Sequence, residues 1–313
     1  MTIFLKAKSY MSGYALAFPS DARQKPDREL DGLVGPVSTV RLQFLRTSKV
    51  AWLFPIKKGV PLRKVSYNVD GNETKAISYD PANPGNKQTE FYSYDAAGRK
   101  IEWLVRQGVI TRKTVYRYDD KAGKLEALEQ VTERKHTIAT RNYVSIFDNQ
   151  GNQIEACCSD NSGAIAKAFY RYKSDEKGNV RIIETYNDDG FLYHKIVCSY
   201  DLSGRLNMKS LYGPGDILYE RRVFAYGVDG TTEEKLTYDD TSLVRKIVYR
   251  YDNKENLIEV AGYDANSSIL GSTANEFQYD EIGNWIEKRS QSWNLKTGKY
   301  DSERIEYRVI HYR

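Results

Sequence analysis

The chain of 313 residues has little proline, little cysteine and no long apolar run. Seven of its eight prolines lie before residue 85, and only Pro214 comes later. Proline cannot donate to a strand ladder, so the long region almost free of it suits continuous strand pairing. The three cysteines, Cys157, Cys158 and Cys198, are odd in number and show no CxxC or Cys/His metal spacing. Adjacent strand residues point to opposite faces, so Cys157 and Cys158 cannot both meet Cys198. They read as small buried hydrophobes, with their redox state left open. No stretch is apolar enough to span a membrane, so no transmembrane segment is expected. His136, His194 and His311 are scattered, and no nucleophile elbow, phosphate loop or dinucleotide fingerprint occurs. These absences leave no candidate catalytic residue, cofactor-binding residue or metal ligand, and the chain reads as a non-enzyme without a cofactor.

What is present is charge of both signs and tyrosine. There are 47 Lys and Arg against 42 Asp and Glu, a net charge of +5. That is a mixed surface and not a basic block, which weighs against a nucleic-acid partner. Mean hydropathy is −0.64, so a thick apolar core is not expected. Tyrosine occurs 25 times against 10 phenylalanines. It has high strand propensity and suits a half-buried position, ring packed and hydroxyl wet.

The organisation follows from turn signals. Residues 1–33 read as a tail, linker or degenerate secretion signal: Lys6 and Lys8 precede an interrupted apolar stretch from Ser9 to Pro19. Residues 34–90 read as lead-in strands, in which Val40, Leu42 and Phe44 alternate with Arg41 and Gln43 and a short apolar run covers 50–54. Residues 91–303 read as tandem hairpin repeats, and 304–313 as a terminal capping strand.

The repeat is carried by aromatic-Asp pairs: Tyr94-Asp95, Tyr118-Asp119, Phe147-Asp148, Tyr200-Asp201, Tyr251-Asp252 and Tyr279-Asp280. Tyr172 and Tyr226 fill the gaps, with their acids displaced to Asp175 and Asp229, and spacings run from 24 to 29 residues. Self-similarity at such a period points to a repeat architecture. Each unit has a strand ending in an aromatic, an Asp-x-x-Gly turn and a second strand. The Asp carboxylate caps backbone N–H groups ahead of it, and the glycine takes the left-handed conformation. At 252–256 Glu255 replaces the glycine, and Asn256 is expected to take the left-handed position. Residues 124–131 also fit a helix, with Leu125, Leu128 and Val131 three apart, but the repeat assigns them to a strand.

Three segments carry a family resemblance: Tyr92-Ser93-Tyr94-Asp95-Ala96-Ala97-Gly98-Arg99, Ser199-Tyr200-Asp201-Leu202-Ser203-Gly204-Arg205-Leu206 and Gln278-Tyr279-Asp280-Glu281-Ile282-Gly283-Asn284-Trp285. They resemble the YD repeats of Rhs-type bacterial proteins over about residues 65–300. The resemblance implies a long antiparallel meander and an extracellular or envelope location, with a cytoplasmic one not excluded. Toxin encapsulation and self-cleavage do not carry over. The chain is too short for the family's shell and ends in a strand, and Tyr79-Asp80-Pro81 lacks the rest of the cleavage pattern and reads as a turn.

The expected fold is therefore all-β: a long antiparallel meander of hairpin repeats in a curled, single-layer or solenoid-like sheet. Sixteen or more strands exceed the roughly ten that an open twisted sheet holds without curling, splitting or flattening, so the array should coil, close or stay flat. In Tyr-x-Tyr both rings share a face, so Tyr92/Tyr94, Tyr116/Tyr118, Tyr170/Tyr172 and Tyr249/Tyr251 are expected to stack as ladders, with Arg117, Arg171 and Arg250 opposite. Trp103, Trp285 and Trp293 are either a stacking surface for sugars or peptides, or local core. The expected function is a non-catalytic β surface that binds a protein or carbohydrate ligand at or outside the cell envelope. An intracellular immunity or chaperone-like partner of a toxin system is the alternative. A third reading, an enzyme, requires a deep pocket with convergent acids.

Overall fold

A computed structural model describes residues 26–45, 59–83, 85–149, 151–163, 165–227, 230–239 and 242–313. The candidate leader at 6–19, the apolar run at 50–54 and Asp229 lie outside them. The described chain opens with a short helix, α1 (Asp27–Leu30), followed by strands alone apart from one 3-10 turn at Pro214–Asp216. These are β1 (Val37–Leu45), β2 (Val60–Tyr67), β3 (Glu73–Tyr79), β4 (Lys87–Tyr94) and β5 (Lys100–Gln107). Then come β6 (Ile110–Asp119), β7 (Lys124–Glu133), β8 (His136–Phe147), β9 (Gln153–Asp160) and β10 (Ile165–Ser174). The third group is β11 (Val180–Asn187), β12 (Leu192–Tyr200), β13 (Leu206–Tyr212), β14 (Leu218–Gly227) and β15 (Gly230–Asp239). The last is β16 (Ser242–Tyr251), β17 (Leu257–Asp264), β18 (Ile269–Tyr279), β19 (Trp285–Asn294) and β20 (Lys299–Tyr312). The segment that also fits a helix is thus β7.

Each strand pairs antiparallel with its neighbours in sequence, and β20 returns to pair with β1, Val40 opposite Ile310 and Leu42 opposite Arg308. The meander therefore closes into a barrel of 20 strands. This corrects the expectation of a curled or solenoid-like sheet. An even strand number lets an up-and-down ring close with antiparallel pairs throughout, and closure removes both edges. Pro61 of β2 sits where the β1–β2 register shifts, a place where a missing N–H is tolerated.

Turn chemistry sets the hairpins. In the 95–99 turn Asp95 Oδ1 accepts from the N–H groups of Ala97 (3.0 Å) and Arg99 (2.8 Å), and Gly98 lies at φ +80°. Asp175, Asp201 and Asp252 repeat the arrangement. At 252–256 Glu255 itself takes the left-handed conformation, φ +63°, while Asn256 uses its amide to hold Asp252, which corrects the assignment of that role to Asn256. The strand after the turn then opens with a bulge: Tyr94 faces Lys100 while Ser93 faces Glu102, and Tyr200 faces Leu206 while Ser199 faces Met208. Such bulges re-aim the next side chains and strengthen the local twist.

The two faces of the ring differ. One carries Val65, Tyr67, Ala76, Leu125, Ala127 and Val131, all buried, together with the paired residues Tyr92 and Trp103. The segment 26–36 packs on the same face, where Leu33 and Val37 join Val40, Val65, Tyr67 and Ala76 in the one hydrophobic cluster of the described residues. Side chains converge on the concave side of a ring and diverge on the convex side, so the face that holds most of the buried side chains is the inner one, while Ser210, Val248, Ala261 and Ser272 are buried on the other. A ring of this size leaves a lumen that its own side chains do not fill, as 16- to 18-stranded barrels already do.

Candidate functional site

The inner face is built by the tyrosines of the repeat. Tyr92 and Tyr94, Tyr116 and Tyr118, and Tyr170 and Tyr172 point inward, and Arg117 and Arg171 point outward opposite Glu126 and Glu184. The rings do not stack as ladders, because a second strand separates successive tyrosine-bearing strands. Tyr116 faces Ala127, Tyr118 faces Leu125 and Tyr170 faces Thr185. At about 4.8 Å per strand, like residues of adjacent units lie too far apart for ring contact.

Each tyrosine is instead fixed through its hydroxyl and its face. The hydroxyls of Tyr118, Tyr172, Tyr200 and Tyr226 donate to the carbonyls of Lys100 (2.9 Å), Gln153 (2.8 Å), Val180 (2.8 Å) and Leu206 (2.7 Å). In every case the acceptor is the first residue of the neighbouring strand after its turn, beside the bulge. In three of these units the turn arginine covers the ring, Arg99 over Tyr118 at 4.4 Å, Arg181 over Tyr200 at 5.0 Å and Arg205 over Tyr226 at 4.5 Å. Those arginines also bond the turn acids Asp95, Asp175 and Asp201. Burial pushes the Tyr118 and Tyr172 hydroxyls up to about 12, so both stay protonated donors.

Ionic networks line the same wall. Glu129, nearly inaccessible, receives Arg112 at 3.2 Å and Arg141 at 2.7 Å. Arg222 links Glu220 (2.8 Å) to Glu233 (3.1 Å), and Lys235 returns to Glu220 at 2.7 Å. Trp103 donates its indole N–H to Glu90 at 3.0 Å. Trp285 lies inward beneath the Arg308 guanidinium, 3.8 Å from the ring centre, and burial lowers Arg308 to about 10. Trp293 contacts Tyr300 edge-on across the β19–β20 pair, ring centres 5.2 Å apart.

The segment 26–36 clasps the seam where the ring closes. Tyr94 donates to Asp27 at 2.6 Å, Tyr67 donates to Asp31, and the Arg28 N–H bonds the Gly71 carbonyl at 2.9 Å. From the other side of the seam, Asn284 accepts from the Val34 N–H (2.7 Å) and donates to the Val34 carbonyl (2.8 Å). Sequence reasoning missed Asn284 and Glu73, since neither lies in a pattern that reveals its neighbours. Burial pushes the Glu73 carboxyl up to about 7, although Arg63 lies at 3.1 Å.

The outer face is also ionic. Lys113 pairs with Glu102 at 2.9 Å, Lys173 with Glu184 at 3.3 Å, Lys246 with Glu234 at 3.0 Å and Arg250 with Glu259. No helix among the described residues is long and apolar enough to cross a membrane.

The remaining sequence candidates are not brought together. His136 is exposed at a turn, His194 points inward against Tyr193 with ring centres 4.1 Å apart, and His311 lies on the outer face. Cys157 faces outward and Cys158 and Cys198 inward, all three free thiols pushed up by burial. Asp80 caps its turn by accepting from the Ala82 N–H at 2.9 Å. Among the described residues no group of three His, Cys, Asp or Glu is placed to hold a metal.

No family model matches the chain, and no curated protein matches it. Among solved structures, a porin-like protein from Bacteroides uniformis is 12% identical, covers 89% of this chain and 98% of its own, and has a TM-score of 0.35. A porin-like protein from Bacteroides vulgatus is 12% identical over 61% of this chain and 98% of its own, TM-score 0.34. The Photorhabdus luminescens Tc holotoxin pore is 11% identical, TM-score 0.22, over 83% of this chain and 20% of the toxin chain. The closed ring rests on the strand pairings.

Proposed function

We propose that the chain is a YD-repeat protein that works as a hollow, non-catalytic binding barrel in water, at or beyond the cell envelope. One observation carries the reading: the outer face of the closed ring bears cross-strand ion pairs where a lipid-spanning barrel has an apolar band. A Lys or Arg on the lipid face near the bilayer midplane costs about 2–4 kcal/mol. The outer face suits water, and the wide inner face, lined by tyrosine, tryptophan and paired charges, is the surface left to hold a guest. Strand pairing around the closed ring, the tyrosine hydroxyl bonds and the turn carboxylates supply rigidity without a thick core, so that surface stays open. The non-catalytic reading is supported by inner acids that are already engaged, Glu129 by Arg112 and Arg141 and Glu90 by Trp103 and Tyr92. The location is supported by the YD-repeat resemblance.

The test is detergent-phase partition of the purified chain, with bilayer conductance and fractionation of the native host. Recovery in the aqueous phase, without conductance and outside the cytosol, is expected. Insertion into lipid bilayers with ion flow would overturn the aqueous barrel. A chain held in the cytosol on one toxin would replace the envelope location with the immunity or chaperone-like role.

A further inference from the structure

The inner wall contains two glycines that the backbone does not require. Gly262 on β17 and Gly271 on β18 face each other directly in the ladder. Neither has a positive φ. A Cβ on Gly271 would meet no atom within 4 Å, and one on Gly262 would come no closer than 3.8 Å. Any L-residue fits at both places, and β-branched residues would serve the strands better. The ladder shifts register beside the pair, between Gly262 and Tyr263, but neither glycine has the positive φ for which a bulge selects glycine, so the bare backbone is left for something that approaches it.

The surroundings describe what approaches. The pair floors a depression of about 400 Å³ on the inner wall. Ile247 lies opposite Gly262, Tyr249 lies opposite Val260, and Val260 lies opposite Thr273, so two aliphatic side chains, a phenol ring and a hydroxyl stand around a bare patch of sheet. One cation overlooks it: Nη2 of Arg245 sits 3.8 Å from the Cβ position of Gly262. Arg245 is exposed and makes no ion pair among the described residues. Asp264 opposite it is engaged in its own turn, accepting from the N–H groups of Asn266 (2.9 Å) and Ser268 (2.8 Å). A guanidinium binds a carboxylate through paired N–H groups, and a flat floor with apolar walls accepts the face of a ring.

We infer that the depression over Gly262 and Gly271 is a binding site for a ring compound carrying a carboxylate, with Arg245 holding the carboxylate. The inference deepens the lumen-binding reading and rests on it. Two sources share that chemistry, an acidic sugar and an aromatic acid. Filling the floor is the decisive change, because valine at either glycine favours the strand while it occupies the site.

The experiment titrates the full chain by calorimetry with trigalacturonate and benzoate, and with galactotriose and benzamide as their uncharged counterparts. One acid is expected to bind, and which one identifies the source. Its uncharged counterpart is expected to bind at least about tenfold more weakly. Gly271→Val and Gly262→Val are each expected to weaken it by at least about tenfold without lowering Tm, and Arg245→Gln to abolish the preference for the acid. Binding that survives both valine variants within about threefold overturns this site and leaves the lumen reading standing. Failure of both acids to bind an aqueous, folded chain overturns the proposed ligand class, as does binding of an acidic peptide alone. A chain that enters the detergent phase fails the aqueous reading instead.

Discussion

Tyrosine outnumbers phenylalanine because its hydroxyl has a specific acceptor. A bulge at the start of a strand interrupts the ladder, and the tyrosine of the next strand reaches the carbonyl left beside it. Tyr118→Phe keeps the ring but leaves the Lys100 carbonyl without this donor, and is expected to cost about 1–2 kcal/mol in urea unfolding. Tyr226→Phe makes the same deletion at a more exposed position, 37% accessible, where water replaces the hydroxyl. Its cost is expected to stay below about 1 kcal/mol. Glu73 gives a pH prediction. Burial raises its folded pKa from 4.5 to about 7, so the folded state holds a proton that the unfolded state has already lost. The stabilisation is complete below about pH 4.5 and disappears as pH rises through about 7, an effect on the order of 1–3 kcal/mol. Glu73→Gln is expected to remove that slope and leave the variant the more stable form at pH 8, as read from urea midpoints across pH.

At the scale of the element, hairpins are defined by their turns more than by their strands. Asp201 illustrates the economy of the motif: its carboxylate caps the backbone of the turn and bonds Arg205, and that arginine covers Tyr226 of the next unit. The Arg205 backbone N–H, helped by its guanidinium, holds the Asp201 carboxyl below its usual range. The left-handed turn position is the strained one. Glu255 occupies it at φ +63°, so Glu255→Gly is expected to raise stability by about 1 kcal/mol. Gly204, at φ +80° with open space around it, is the reverse case. Gly204→Ala is expected to cost about 1 kcal/mol from backbone strain alone, measured as a fall in the urea midpoint at unchanged slope.

For the whole molecule, the decisive contact is the one most distant in sequence. Closing β1 against β20 brings Thr39 opposite His311, and contacts of that separation carry a large loop-closure cost. The segment 26–36 compensates by tying both sides of the seam. Asn284 is its keystone, fully buried and bonded to the Val34 N–H, the Val34 carbonyl and the Tyr312 hydroxyl. Asn284→Ala leaves buried backbone groups unpaired and is expected to cost about 2–4 kcal/mol. If the clasp holds the ring, hydrogen exchange in that variant rises first in β1 and β20, and β7 and β8 stay protected. Uniform loss of protection would show that the seam is not the weak point.

Turns, strand alternation and the antiparallel meander were legible in the sequence, because they depend on contacts a few residues apart. Asp-x-x-Gly places a turn wherever it stands, and Tyr-Arg-Tyr assigns its faces by the two-residue period of a strand. Even the aromatic composition announced half-buried rings. The expected tyrosine ladders failed because a second strand intervenes between repeat units, a fact of pairing order and not of composition. Closure, the inner position of the tyrosines, the clasp at 26–36 and the meeting of Gly262 with Gly271 were decided only by the tertiary structure. They depend on curvature summed over 20 strands and on pairs as far apart as Val34 and Asn284. A local rule fixes each hairpin, but no local rule states how much twist each adds, and that sum determines whether the last strand meets the first.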